Sequence, residues 1–175
     1  PLSQAVVYAW NPLVLVEVWG TGHLDGLVVP AVVGAAWLAV RGRHAAAGAL
    51  LGAGALVKLY PAALLLLLPI AAWPVALPSF TAVVLAGYAP ALLAGTEVLG
   101  SLPRYVTEEY FNPGLLRSLM ESPAATIASA AVWVAVASTA RRHMALPVRA
   151  VVLIGGLVLL SPNIFPWYAI WLVPF

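Results

Sequence analysis

Glu17, His23 and Asp25 fall close together in "VEVWGTGHLD", residues 16 to 25, a stretch otherwise apolar or glycine-rich. The chain has only six acidic residues in 175, so two carboxylates beside a histidine stand out. A carboxylate held at a membrane boundary is partly desolvated, and its proton affinity can be tuned for base chemistry. Gly20, Gly22 and Gly26 leave the backbone open to close approach by a ligand. The same residues also suit helix ends at headgroup level, with Asp25 as a favourable charge at a helix start. As metal ligands, His23 and Asp25 lack a visible third partner.

Lys58 lies between apolar runs in "ALVKLYPAALLLLLP". A lysine there is costly unless it is paired or near the interface. A phosphate on a lipid is a natural partner, with the Tyr60 hydroxyl beside it; snorkelling to the interface is the plainer role. In "GSLPRYVTEEYFNPGLLRSLMESP", Arg104 and Arg117 suit phosphate oxygens. Tyr105, Tyr110, Phe111 and Asn112 offer stacking and hydrogen bonds for a sugar. An interfacial segment with an aromatic belt has the same composition. In "SPNIFPWYAIW", Trp167 and Tyr168 share this duality, while Asn163 and two prolines shape a short loop.

These residues must be positioned by apolar helices. The chain is 63% hydrophobic and 8% charged, against about 25% charged in a soluble domain. So little charge cannot cover a water-facing surface, and long Leu, Ala and Val runs lack barrel alternation. The expected class is all-α: a polytopic transmembrane bundle of about six to eight membrane helices or half-helices. With no Cys, disulfides and thiolate metal sites are excluded. No nucleotide fingerprint, Walker loop or Ser-His-Asp order appears, and nothing points to nucleic acid. The chain opens at Pro1 without Met and stops at Phe175 in an apolar run. The expectation is one transmembrane domain, residues 1–175, from a longer chain.

The expected helical stretches are 1–16, broken near Asn11-Pro12, then 24–40, 45–57, 62–73, 80–97, 124–140 and 148–162, with another starting at Ala169. The runs 45–57 and 62–73 are short of the roughly 20 residues of a full span, which predicts a hairpin or a kink at Pro61. Ser122-Pro123 reads as a helix start capped by Ser122. Arg41, Arg43, Arg141, Arg142 and Arg149 fall in two loops, assigned to the cytoplasm by the positive-inside rule. With 45–73 as a hairpin, the loops near 17–25, 58–61, 97–122 and 163–168 share the opposite side. Glu17, Asp25, Glu97, Glu108, Glu109 and Glu121 all lie there, with Lys58, Arg104 and Arg117. No internal repeat is visible, and a one-sided site at the outer surface is expected rather than two-sided access.

"NPLVLVEVWGTGHLDGL", "LVKLYPAALLLLLP", "EEYFNPG" and "FPWYAIWLVP", in this order, resemble the C superfamily of integral membrane glycosyltransferases (GT-C). The likeness is to its bacterial polyprenyl-phosphate-mannose-dependent mannosyltransferases. The resemblance implies transfer of a sugar, mannose above all, from a polyprenyl-phosphate donor to a glycan or lipid-linked acceptor. Transfer would be on the non-cytoplasmic face of the bacterial plasma membrane, with inversion. It needs no cofactor and leaves a divalent cation open. The superfamily's leading catalytic aspartate lies in the first outer loop, expected upstream of this chain. Asp25, Glu17 and His23 then become accessory catalytic residues. Lys58, Tyr60, Arg104 and Arg117 become donor-phosphate ligands, and Asn112, Tyr105, Trp167 and Tyr168 contact sugar or acceptor. A transporter or flippase for lipid-linked glycans is the alternative, and a catalytically silent membrane subunit is a third.

Overall fold

The computed structural model describes residues 2–100, 112–120 and 123–175, and among them the regular elements are all helical, with no strand. The chain divides into two compact units. One comprises everything up to Gly87 together with Trp167–Phe175; the other is Tyr88–Pro166. Two helical stretches, Ile70–Gly95 and Ala124–His143, are long and apolar enough to cross a membrane. Only 11% and 17% of their most apolar windows are buried, so the apolar side chains face outward instead of filling a core.

In the first unit, α1 (Leu2–Ala9) stops before Asn11, whose side chain accepts from the Leu13 N–H and caps the turn Pro12–Val14. The expected break near Asn11-Pro12 is therefore real. The chain continues as a wide π-type turn over Leu15–Gly20. Helix α2 (Asp25–Val40) and helix α3 (His44–Val57) form a close pair around the turn at 41–43. Gly42 adopts φ 72° there, a conformation that L residues avoid. Val28, Val29, Val32, Ala35, Ala47 and Leu51 fill the seam.

After Lys58 the chain turns back through a short helix, Tyr60–Ala63, and a tighter turn, Leu64–Leu67. Pro61 packs on Gly54, and Leu64, Leu67 and Leu68 meet Leu51 and Val32. The expected short return thus exists, but it ends at Leu68-Pro69, not at 73. Helix α4 (Trp73–Tyr88) then begins earlier than the expected residue 80. Pro74 sits in its first turn, where no N–H is missed. Pro78 lies inside the helix, and the Ser79 hydroxyl donates to the Val75 carbonyl beside it. A Cβ on Gly48 would meet the Ala76 carbonyl, and one on Gly52 would lie 2.8 Å from the Phe80 carbonyl. The two contacts advance together along both chains, so α3 and α4 run parallel, with the 60–68 segment as the return between them.

In the second unit, α5 (Ala124–His143) and α6 (Leu146–Leu160) pair, and the Trp133 indole donates to the Leu153 carbonyl at 3.0 Å. Helix α5 begins with Pro123 at the cap position without a side-chain bond; Ser122, expected to cap it, lies outside the described residues. Residues 112–116 strap the end of α6. Gly114 N–H donates to the Pro162 carbonyl and Leu115 N–H to that of Leu159, which satisfies carbonyls that a helix end leaves unpaired. The helix expected from Ala169 is instead a tight turn over Pro166–Trp171.

Candidate functional site

Asp25 opens α2 and is fully buried. A buried carboxylate must be paired or satisfied by donors, and two partners arrive from distant parts of the first unit. The Lys58 ammonium lies 3.4 Å from Asp25 Oδ2. The Trp171 indole N–H donates to Oδ1 at 2.5 Å, a short charge-assisted bond. Lys58 arrives because α3 ends at Val57 and Lys58 itself is extended, which turns its side chain back toward the start of α2. It keeps a third of its side chain exposed.

Trp171 begins a ladder of rings. Tyr60 stacks on it at 3.9 Å between centroids, and Tyr168 stacks on it at 4.4 Å. Trp167 meets Tyr168 edge-on at 6.2 Å, and His23 stacks on Trp167 at 4.0 Å. Pairs in such geometries add about 0.5–1.5 kcal/mol each beyond the area they bury.

At the far end of the ladder, His23 Nδ1 lies 3.3 Å from Glu17 Oε2 and 3.1 Å from the Glu17 carbonyl oxygen. The wide turn at Leu15–Gly20 presents Glu17, and Gly22, at φ 76°, reverses the chain so that His23 returns over it. Gly26 serves packing instead. A Cβ there would lie 2.6 Å from a Val18 methyl, so its absence lets the turn pack on the start of α2.

Of the residues expected to act, Asp25, Lys58, Tyr60, Trp167, Tyr168, Glu17 and His23 therefore form one connected group. Arg117 and Asn112 belong to the second unit; Arg117 is buried there, and the Asn112 carbonyl accepts from the Ile164 N–H. Arg104 and Tyr105, like Tyr110 and Phe111, lie outside the described residues. Trp171 is not among the residues expected from the sequence. Its signal is an indole N–H in an apolar run, a donor that needs a partner once buried, three residues beyond Tyr168.

Replacing Trp171 by Phe keeps a ring in the stack and deletes the donor to Asp25. The expected cost is about 2 kcal/mol, the range for a hydrogen bond to a charged group. Denaturant unfolding in detergent, read by the remaining tryptophans, measures it.

Two polar pairs, Asp25 with Lys58 and Glu17 with His23, thus flank one aromatic spine. In the Asp25 pair the carboxylate is fully buried; Oδ1 accepts from Trp171, and Oδ2 has no hydrogen-bond donor among the described residues but faces the partly exposed Lys58 ammonium at 3.4 Å. The Glu17–His23 pair is accessible, with 14% of the glutamate and 25% of the histidine side chain exposed. No family model, no curated protein and no solved structure matches the chain.

Proposed function

We propose that the protein is a GT-C-type glycosyltransferase of the bacterial plasma membrane. It moves a sugar, mannose in the first instance, from a polyprenyl-phosphate donor to a glycan or lipid-linked acceptor on the non-cytoplasmic face. The two long apolar helices, with the shorter α2, α3 and α6, form part of a multi-pass bundle that meets the lipid-borne donor in the membrane.

One observation carries the reading: a lysine, a histidine and two carboxylates converge on a spine of stacked tyrosine and tryptophan rings. Each part answers a demand of the reaction. Tyr60, Tyr168 and Trp171 are buried and form the support, while Trp167, partly exposed, offers a flat ring with a polar edge that suits a sugar, which has both C–H faces and hydroxyls. A leaving lipid phosphate gathers negative charge and needs a cation. Lys58 has three donors, so Asp25 can hold it while one N–H remains for phosphate. Because the donor arrives through lipid, no nucleotide site is required.

The test is transfer from a polyprenyl-phosphate hexose carrying a radiolabel, using the full-length protein in proteoliposomes. The expected result is label in a glycan or glycolipid acceptor. Lys58→Gln, which can still hydrogen-bond to Asp25, is expected to raise the donor KM about tenfold, the equivalent of one charge-assisted contact. An unchanged donor KM would remove Lys58 from the phosphate site. No product with any polyprenyl-phosphate hexose, together with movement of a lipid-linked glycan between leaflets, would make the protein a transporter instead.

A further inference from the structure

We propose that the turn between α2 and α3 is a docking site for the headgroup of an anionic phospholipid, held by Arg41 and Arg43. The inference is independent of sugar transfer and rests only on the membrane reading.

The stretch "WLAVRGRHAAA", residues 37–47, carries two arginines and a histidine and no acid. The nearest acid before it in the chain is Asp25, at the other end of α2, and the next after it is Glu97. Sixteen residues of helix put Asp25 about 24 Å away. Neither guanidinium has a hydrogen-bond or carboxylate partner among the described residues.

The backbone of the turn is fully used. The Arg41 N–H is shared between the Trp37 and Leu38 carbonyls, the Gly42 N–H donates to that of Ala39, and the Arg43 N–H donates to that of Leu38. These donors close the end of α2, and Gly42, at φ 72°, turns the chain toward α3. The turn is therefore a fixed mount for two exposed arginines, and any recognition falls to their side chains.

Arg41 folds back along α2. Its guanidinium carbon lies 4.0 Å from the centroid of the Trp37 ring, one helical turn earlier. Stacking occupies a face of the guanidinium and leaves its in-plane N–H fork, the part that matches phosphate oxygens. Trp37 and Val40 are themselves well exposed. An indole and an aliphatic side chain beside arginines is the composition that sits where acyl chains meet headgroups. That selects the occupant. A soluble anion would engage the arginines and leave Trp37 and Val40 in water. An anionic phospholipid supplies phosphate to the fork and acyl chain to the two apolar side chains.

Docking at this end has an effect at the other. At about 24 Å, α2 is shorter than the roughly 30 Å of a hydrocarbon core. A headgroup held at its C-terminal end therefore fixes how far its N-terminal end reaches. Asp25 and its partner Lys58 are at that end, so the docked lipid sets their depth in the membrane.

The test uses the full-length protein, stripped of lipid in neutral detergent. Phosphatidylglycerol, phosphatidylcholine and inorganic phosphate are added separately at equal phosphate concentration. Phosphatidylglycerol is expected to raise the unfolding midpoint by about 4 °C, and the other two by less than about 1 °C. Arg41→Gln/Arg43→Gln should lose more than half of that shift, measured against its own lipid-free midpoint. Because both side chains are exposed, that midpoint should stay within about 2 °C of the wild type. Trp37→Leu, still apolar but without the ring under Arg41, should lose a smaller share. Native mass spectrometry, counting retained phosphatidylglycerol, gives the same ranking for any variant whose folding has changed. A double variant that keeps more than half of the shift and of the lipid count overturns the site. An equal shift with inorganic phosphate overturns the lipid as occupant, and an equal shift with phosphatidylcholine overturns recognition by charge. A Trp37→Leu shift equal to the wild type removes the stacked ring from the site.

Discussion

Lys58→Met is expected to destabilise the protein by about 3 kcal/mol, whereas the double variant Asp25→Asn/Lys58→Met should recover most of that loss. The asymmetry follows from burial. Removing Lys58 leaves Asp25 wholly enclosed with one oxygen held by Trp171 and the other facing no cation. An uncompensated buried charge is among the costliest single defects. Asp25→Asn alone costs less, about 1 kcal/mol, for two reasons. The asparagine side-chain oxygen still accepts from Trp171, and Lys58, already a third exposed, can turn to solvent. With the double variant left about 1 kcal/mol below the wild type, the double-mutant cycle should therefore give a coupling of about 3 kcal/mol. Equilibrium unfolding in detergent micelles, followed by tryptophan fluorescence, supplies all four corners. Additive single effects would mean that Lys58 and Asp25 do not share one desolvated site, and the proposed phosphate ligand would lose its anchor.

That pair shows where reading the sequence works and where it stops. Asp25, Lys58, Glu17 and His23 are each visible because charge in an apolar run is costly and local. Their pairing is not, since it depends on which helix ends meet. Trp171 is hidden because tryptophan near the end of an apolar run also fits a membrane belt. Helices α2 and α3 are readable, with polar breaks on both sides and an Arg-Gly-Arg turn between them. The start of α4 is misleading: Pro74 and Pro78 look like interruptions, yet one sits in a first turn and the other is tolerated inside an apolar helix. The wide turn at Leu15–Gly20 has no sequence signature, although it is what brings Glu17 under His23. Local rules find the breaks, and packing decides which breaks become a site.

Packing of that kind can be tested at Gly48. Alanine in a helix is favoured over glycine by about 1 kcal/mol, so Gly48→Ala would stabilise α3 in isolation. In the folded unit the added methyl would run into the Ala76 carbonyl of α4, which is backbone and cannot rotate away. Separating the helices forfeits close contact along the face that Gly52 continues against Phe80. In the proposed membrane bundle such contact would be the main source of association, because lipid tails are as apolar as the side chains. The overlap should therefore outweigh the propensity gain, for a net loss of about 2 kcal/mol in Gly48→Ala and more than about 3 kcal/mol in Gly48→Leu. Gly20→Ala is the control: its Cβ would make only an ordinary 3.7 Å contact with the Leu15 carbonyl, and it should stay within about 0.5 kcal/mol. Unfolding midpoints in detergent give the comparison. The consequence reaches the site, because Lys58 follows directly on α3 and moves with it. Gly48→Leu should therefore also weaken the coupling between Lys58 and Asp25 measured in the double-mutant cycle. If Gly48→Ala instead behaves like Gly20→Ala, α3 and α4 do not lie parallel in close contact, and the return at 60–68 loses the frame that brings Lys58 back to Asp25.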